Sequence, residues 1–77
     1  MSKGVILFSS IHYVLHAEKL IKAKGFFFDL IPVPRHLSSD CGICLLFDWE
    51  QKEQLIDLLE KAGLKIEGVY LLDNREK

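Results

Sequence analysis

Apolar and polar positions divide the chain into six short periodic segments separated by turn residues. Gly4 to Phe8 is a branched and aromatic run bounded by Ser9-Ser10, the pattern of a buried strand. From Ile11 to Lys24 the period lengthens to ~3.6 residues, and Tyr13, Val14, Ala17, Leu20 and Ile21 fall on one stripe. Ser9 or Ser10 is placed to cap the first turn of this helix, and Gly25 to end its last. Phe26 to Ile31 is a second strand, after which the prolines and small polar residues from Pro32 to Asp40 mark a loop. Cys41 to Phe47 reads as the third strand. Asp48 precedes Gln51 at capping-box spacing and opens a helix with Leu55, Ile56, Leu58, Leu59 and Ala62 on its buried face, stopped by Gly63. Ile66 to Leu72 is the last strand, and residues 73–77 form a polar tail expected to fray.

The element order βαββαβ predicts an α+β fold, the ferredoxin-like split βαβ pair, as a single domain over residues 1–77. Right-handed crossovers interlock the two halves in the sheet order 4-1-3-2, with strands one and three central and both helices on one face. An ordinary monomer alternates polar residues onto the other face. Here the only charges inside the predicted strands are Asp29 and Glu67, both on edge strands. That sparseness predicts that the helix-free face pairs, most simply in a homodimer.

Composition narrows the class of function. A chain of 77 residues with 49% apolar content is large enough for one core and too apolar for disorder. Runs such as Val5 to Phe8 and Cys44 to Phe47 fall far short of the ~20 residues of a spanning helix, so no membrane role is expected. Ten Lys and Arg against eleven Asp and Glu leave no positive excess for a phosphate backbone, which argues against nucleic acid as a partner. The first residues lack a secretory core and cleavage pattern, which points to a cytoplasmic protein. In that reducing compartment the two cysteines are thiols rather than a structural disulfide, and they are too few for a closed zinc site.

The predicted topology gathers candidate chemistry at one end of the sheet. Strand one hands over to the first helix at Ser9-Ser10, and the adjacent antiparallel strand three begins at Cys41. A thiol is thereby placed beside a helix N-terminus, where unpaired amides favour an anion and thiolates have depressed pKa values. Arg35, His36 and His12 reach the same end, and each stabilises a thiolate when protonated. Asp40 opposes them. Gly42 lets the backbone approach a ligand closely, and Ser38 and Ser39 are turn residues that can also donate to an anion. Cys44, three steps along an extended strand, points to the other face at ~10 Å, beyond disulfide reach, and reads as core.

Ala17-Glu18-Lys19, Ile31-Pro-Val-Pro-Arg35 and Ser38-Ser-Asp-Cys-Gly42 together resemble the selenium/sulfur carrier-like family, a group of small bacterial domains. The resemblance spans nearly the whole chain, and the Pro-Arg…Ser-Ser-Asp-Cys-Gly stretch is its most specific part. It implies a thiol that carries sulfur or selenium as a persulfide or selenosulfide, with Cys41 as the family's cysteine. It also implies a carrier more than a true enzyme, needing no cofactor and acting with a sulfur or selenium donor protein such as a cysteine desulfurase-like enzyme.

Other features are structural. His12 and His16 have metal-ligand spacing on a helix but no third ligand, so no metal is expected and a solvated face is the simpler role. Glu18 and Lys22 form an i,i+4 support pair. Trp49 and Phe26 to Phe28 are packing residues, since no basic residues interleave with them. The rival function is a ferredoxin-like interaction or anionic-ligand-binding module in which the Pro-Arg loop holds a metabolite. Such a module is indifferent to Cys41→Ser, whereas a carrier is not.

Overall fold

In the computed structural model, which describes residues 2–37 and 42–72, the segments fold as β1 (Lys3–Phe8), α1 (Ile11–Lys24), β2 (Phe28–Pro32), β3 (Ile43–Asp48), a 3-10 turn (Trp49–Gln51), α2 (Lys52–Lys61) and β4 (Ile66–Leu72). The strands form one antiparallel sheet ordered β2-β3-β1-β4. This is the expected 4-1-3-2 order seen from its other edge, with β1 and β3 at the centre. The polar tail expected at 73–77 lies outside the described residues.

Both helices end in the same device. Gly25 follows α1 at φ 82°, its N–H donates to the Lys22 carbonyl at 3.1 Å, and the Phe26 N–H reaches the Ile21 carbonyl at 3.3 Å. This is the Schellman pattern, which needs a left-handed residue after the helix and an apolar residue next. After α2 the Leu64 N–H likewise donates to the Leu59 carbonyl at 3.1 Å, and Leu64 is buried in the same core as Leu59. The motif explains why β2 starts at Phe28 and not at the expected Phe26. Phe26 is used by the helix end, and Phe27 is exposed with the Lys3 ammonium 5.3 Å from its ring centre.

Two other expected boundaries also move. β3 begins at Ile43 because Gly42 sits at φ 73°, which breaks an extended run from residue 41. Asp48 does not cap a helix with its side chain. It ends β3 opposite Lys3, whose ammonium lies 3.1 Å from its carboxylate, and the 3-10 turn intervenes before α2. Ala62, expected on the buried face of α2, is exposed.

The two faces of the sheet are covered differently. On one, Ile6, Phe8, Leu45 and Phe47 pack with Val14, Ala17 and Ile21 of α1 and with Leu55 and Leu59 of α2. On the other, Val5, Leu7 and Cys44 form a second buried cluster, although no helix of the described residues lies there. Val33 and Leu37, from the segment after β2, pack against it. The chain thus supplies cover for the centre of its own helix-free face, while the rim of that face carries the Lys3–Asp48 pair and Asp29, charges that the observed strand bounds and register place there. Tyr70, opposite Val5 on the same face, stays 42% exposed.

Candidate functional site

The end of the sheet singled out by the sequence is where β1 runs into α1 and where β3 starts. The β1–β3 pairing terminates at Leu7 opposite Cys44, so Ser9 and Gly42 each lie two residues beyond the last pair. Ser10 occupies the N-cap position in an extended conformation (φ −152°, ψ 159°), but its side chain makes no capping hydrogen bond. The capping expected of Ser9 or Ser10 is therefore not realised by Ser10. No acidic residue stands in the first turn of α1, leaving the positive end of its dipole without a carboxylate in the helix itself. Ser9 and His12 are exposed.

The connection from β2 is tied down on both sides of its tip. The Val33 N–H donates to the Gly42 carbonyl at 3.2 Å, extending the β2–β3 ladder beyond its last strand pair. A turn then closes with the Leu37 N–H on the Pro34 carbonyl at 2.9 Å. Arg35 and His36 occupy this turn and are exposed, while Leu37 turns inward to the Val5, Leu7 and Cys44 cluster. The fold thus brings the Arg35–His36 turn, Gly42 and the Ser9–Ser10 handover to one end. No side-chain hydrogen bond or ion pair joins Arg35, His36 or His12 to another of the described residues. Ser38, Ser39, Asp40 and Cys41, the remaining residues of the sequence argument, lie outside the described residues.

Gly42 is described, and its role is conformational. A Cβ built on it meets nothing within 4 Å, so space does not demand glycine, whereas its left-handed φ of 73° does. The bend also removes the premise behind the ~10 Å separation of the two thiols, since residues 41–44 are not one extended run. Cys44 itself is fully buried, its Sγ 3.9 Å from the Pro32 carbonyl. The expectation that it is core is met, but beneath Val33 and Leu37 rather than beneath the helices.

One cation at this end escaped the sequence reading. A cleft of about 260 Å³ beside Ser9 is lined by Lys65, Ile66 and Glu67. The signal was topological: β4 is antiparallel to β1, so its first residues meet the β1 exit, and Ile66 pairs with Phe8. A larger hollow of about 540 Å³, lined by Trp49, Glu50, Lys52, Glu53 and Gln54, follows the far end of β3 and contains none of the candidate residues. His12 and His16 are both exposed, and among the described residues no group of three or more His, Cys, Asp or Glu could hold a metal ion. Among those residues no helix is long and apolar enough to cross a membrane.

Comparison with curated proteins and with solved structures returned no match. Residues 3–71, nearly the entire chain, match the family described as Putative Se/S carrier protein-like. The match includes the whole sheet up to Leu71, both helices and the segment from Pro32 to Gly42 in which the resemblance was most specific, and on that extent the chain belongs to the Se/S carrier protein-like family.

Proposed function

We propose that the protein carries sulfur or selenium on the Cys41 thiol as a persulfide or selenosulfide, passing it from a donor protein to an acceptor in a reducing cytoplasm. The observation that supports this most is the family match across residues 3–71. Loading is an exchange without net oxidation. The Cys41 thiolate attacks the outer sulfur of a donor persulfide, the new sulfur–sulfur bond forms as the donor's breaks, and the donor leaves as a thiol. The reaction needs no cofactor. The terminal sulfur anion calls for donors and positive charge without burial; Arg35, His36, His12, Ser9 and Ser10, with Ser38, Ser39 and Gly42 in the sequence around the thiol, are the proposed binding set.

The second cysteine matters to a carrier. If the Cys44 thiolate attacked the inner sulfur of a Cys41 persulfide, a disulfide would form and the cargo would leave as hydrosulfide. Full burial of Cys44 under Val33 and Leu37 opposes that discharge. The reduced protein, incubated with glutathione persulfide and analysed by mass spectrometry without reductant, should gain one sulfur in the wild type and in Cys44→Ala, and none in Cys41→Ser. Equal loading of Cys41→Ser would place the cargo on Cys44 and overturn the assignment to Cys41, and failure of the wild type to gain sulfur would overturn the carrier reading in favour of a binding module.

A further inference from the structure

The two edges of the sheet are not equivalent, and the difference can be read from which way their amides face. In β2 the Val33 N–H points to β3, reaching Gly42, so Ile31 and Asp29 face β3 as well while Leu30 and Pro32 face outward. Phe28, at the start of the strand, also faces outward, and the two outward positions that follow it cannot donate to a neighbouring strand. Pro32 has no N–H, and the Leu30 N–H is held at 2.9 Å by the Asp29 carboxylate. In β1 the Ser2 carbonyl accepts from the Trp49 N–H at 3.1 Å on the β3 side, so Gly4 and Ile6 face β3 and Lys3, Val5 and Leu7 face β4. Their partners Leu72, Tyr70 and Gly68 face inward in turn, which leaves the N–H and C=O groups of Val69 and Leu71 directed away from the sheet.

In β4 the blunting features, the charge of Glu67 and the shift in register opposite Leu7 and Phe8, are confined to its first residues. Gly68 to Leu72 contains no charge and no proline, and its Tyr70 and Leu71 are 42% and 53% exposed. We propose that β4 pairs with β4 of a second copy of this chain, antiparallel about a two-fold axis within Gly68 to Leu72, joining the two sheets into one. A second copy suits the edge for two reasons. Val69 and Leu71 each present a donor and an acceptor, so the strand is complementary to itself when reversed. Gly68 to Leu72 is uncharged and the whole chain differs by one charge from neutrality, so the paired segment itself brings no like charges together, as Asp29 within β2 would, and the acidic Glu67 and Asp73 stand at its two ends in the sequence. The surface for a homodimer, expected on the helix-free face, moves to its β4 border, where the cover by Val33 and Leu37 does not interfere. The proposal is independent of sulfur chemistry.

Sedimentation equilibrium across micromolar to millimolar protein tests it, together with amide hydrogen exchange of Val69 and Leu71. The wild type should dimerise, with both amides gaining protection as concentration rises, and Leu71→Lys should shift the equilibrium to monomer while its circular dichroism is unchanged. Exchange at these amides keeps the test valid without any variant. A monomer at every concentration overturns the proposal, even if an added extended peptide binds the edge. So does a dimer that Leu71→Lys leaves intact, or one in which Val69 and Leu71 exchange as fast as in the monomer.

Discussion

The same sheet is sealed by two different materials. Its helix side is closed by regular elements, with α1 and α2 setting Val14, Ala17, Ile21, Leu55 and Leu59 over Ile6, Phe8, Leu45 and Phe47. Its other side is closed over Val5, Leu7 and Cys44 with the help of Val33 and Leu37, two apolar side chains of a short irregular connection. Helices bury a wide stripe and resist local opening, whereas a connection whose described residues are held by one ladder bond and one turn opens at lower cost. The first side holds the fold together. The second buries Cys44.

Changes on the helix side should have the largest effect on stability. Phe47→Ala removes a fully buried ring from that core and should cost about 3–5 kcal/mol, measured by urea denaturation. A loss below about 1 kcal/mol would mean that this face is not the main core. On the loop side, Leu37→Ala truncates a half-buried side chain and should cost only about 1–2 kcal/mol. Its larger consequence should be chemical. Alkylation of Cys44 in the folded protein should quicken several-fold, and an unchanged rate would show that Leu37 does not guard the thiol. The smallest effect belongs to the sheet's rim: Lys3→Met breaks the half-exposed pair with Asp48 and should change stability by less than about 1 kcal/mol, with little salt dependence left in the melting temperature.

The elements on the helix side were legible from sequence because each rests on a local pattern. The 3.6-residue stripe of α1, the short apolar strands β1 and β3 and the glycines after each helix act within a few residues, and the interlocked crossovers then leave one sheet order. The departures arise where a distant partner or a local bend competes with that pattern. Phe26 looks like strand but is claimed by the Schellman motif, and Asp48 looks like a cap but is claimed by Lys3 across the ladder. The loop side was the least legible. Val33 and Leu37 sit among prolines and polar residues with no period to mark them as buried, and only the register of β2 against β3 shows that they turn over Val5, Leu7 and Cys44. Of the candidate site, the gathering of Ser9, Ser10, Arg35, His36 and Gly42 at one end followed from topology, while Lys65 required the pairing of Ile66 with Phe8.

The contrast between the two thiols carries the whole account, and their relative reactivity measures it. Alkylation at neutral pH, followed site by site in the folded protein with a denatured control, should modify Cys41 about tenfold or more faster than Cys44, and Arg35→Ala should slow the Cys41 reaction while leaving Cys44 unchanged. Equal rates, or faster modification of Cys44, would contradict both the activation of Cys41 by its surroundings and the shielding of Cys44 by the loop.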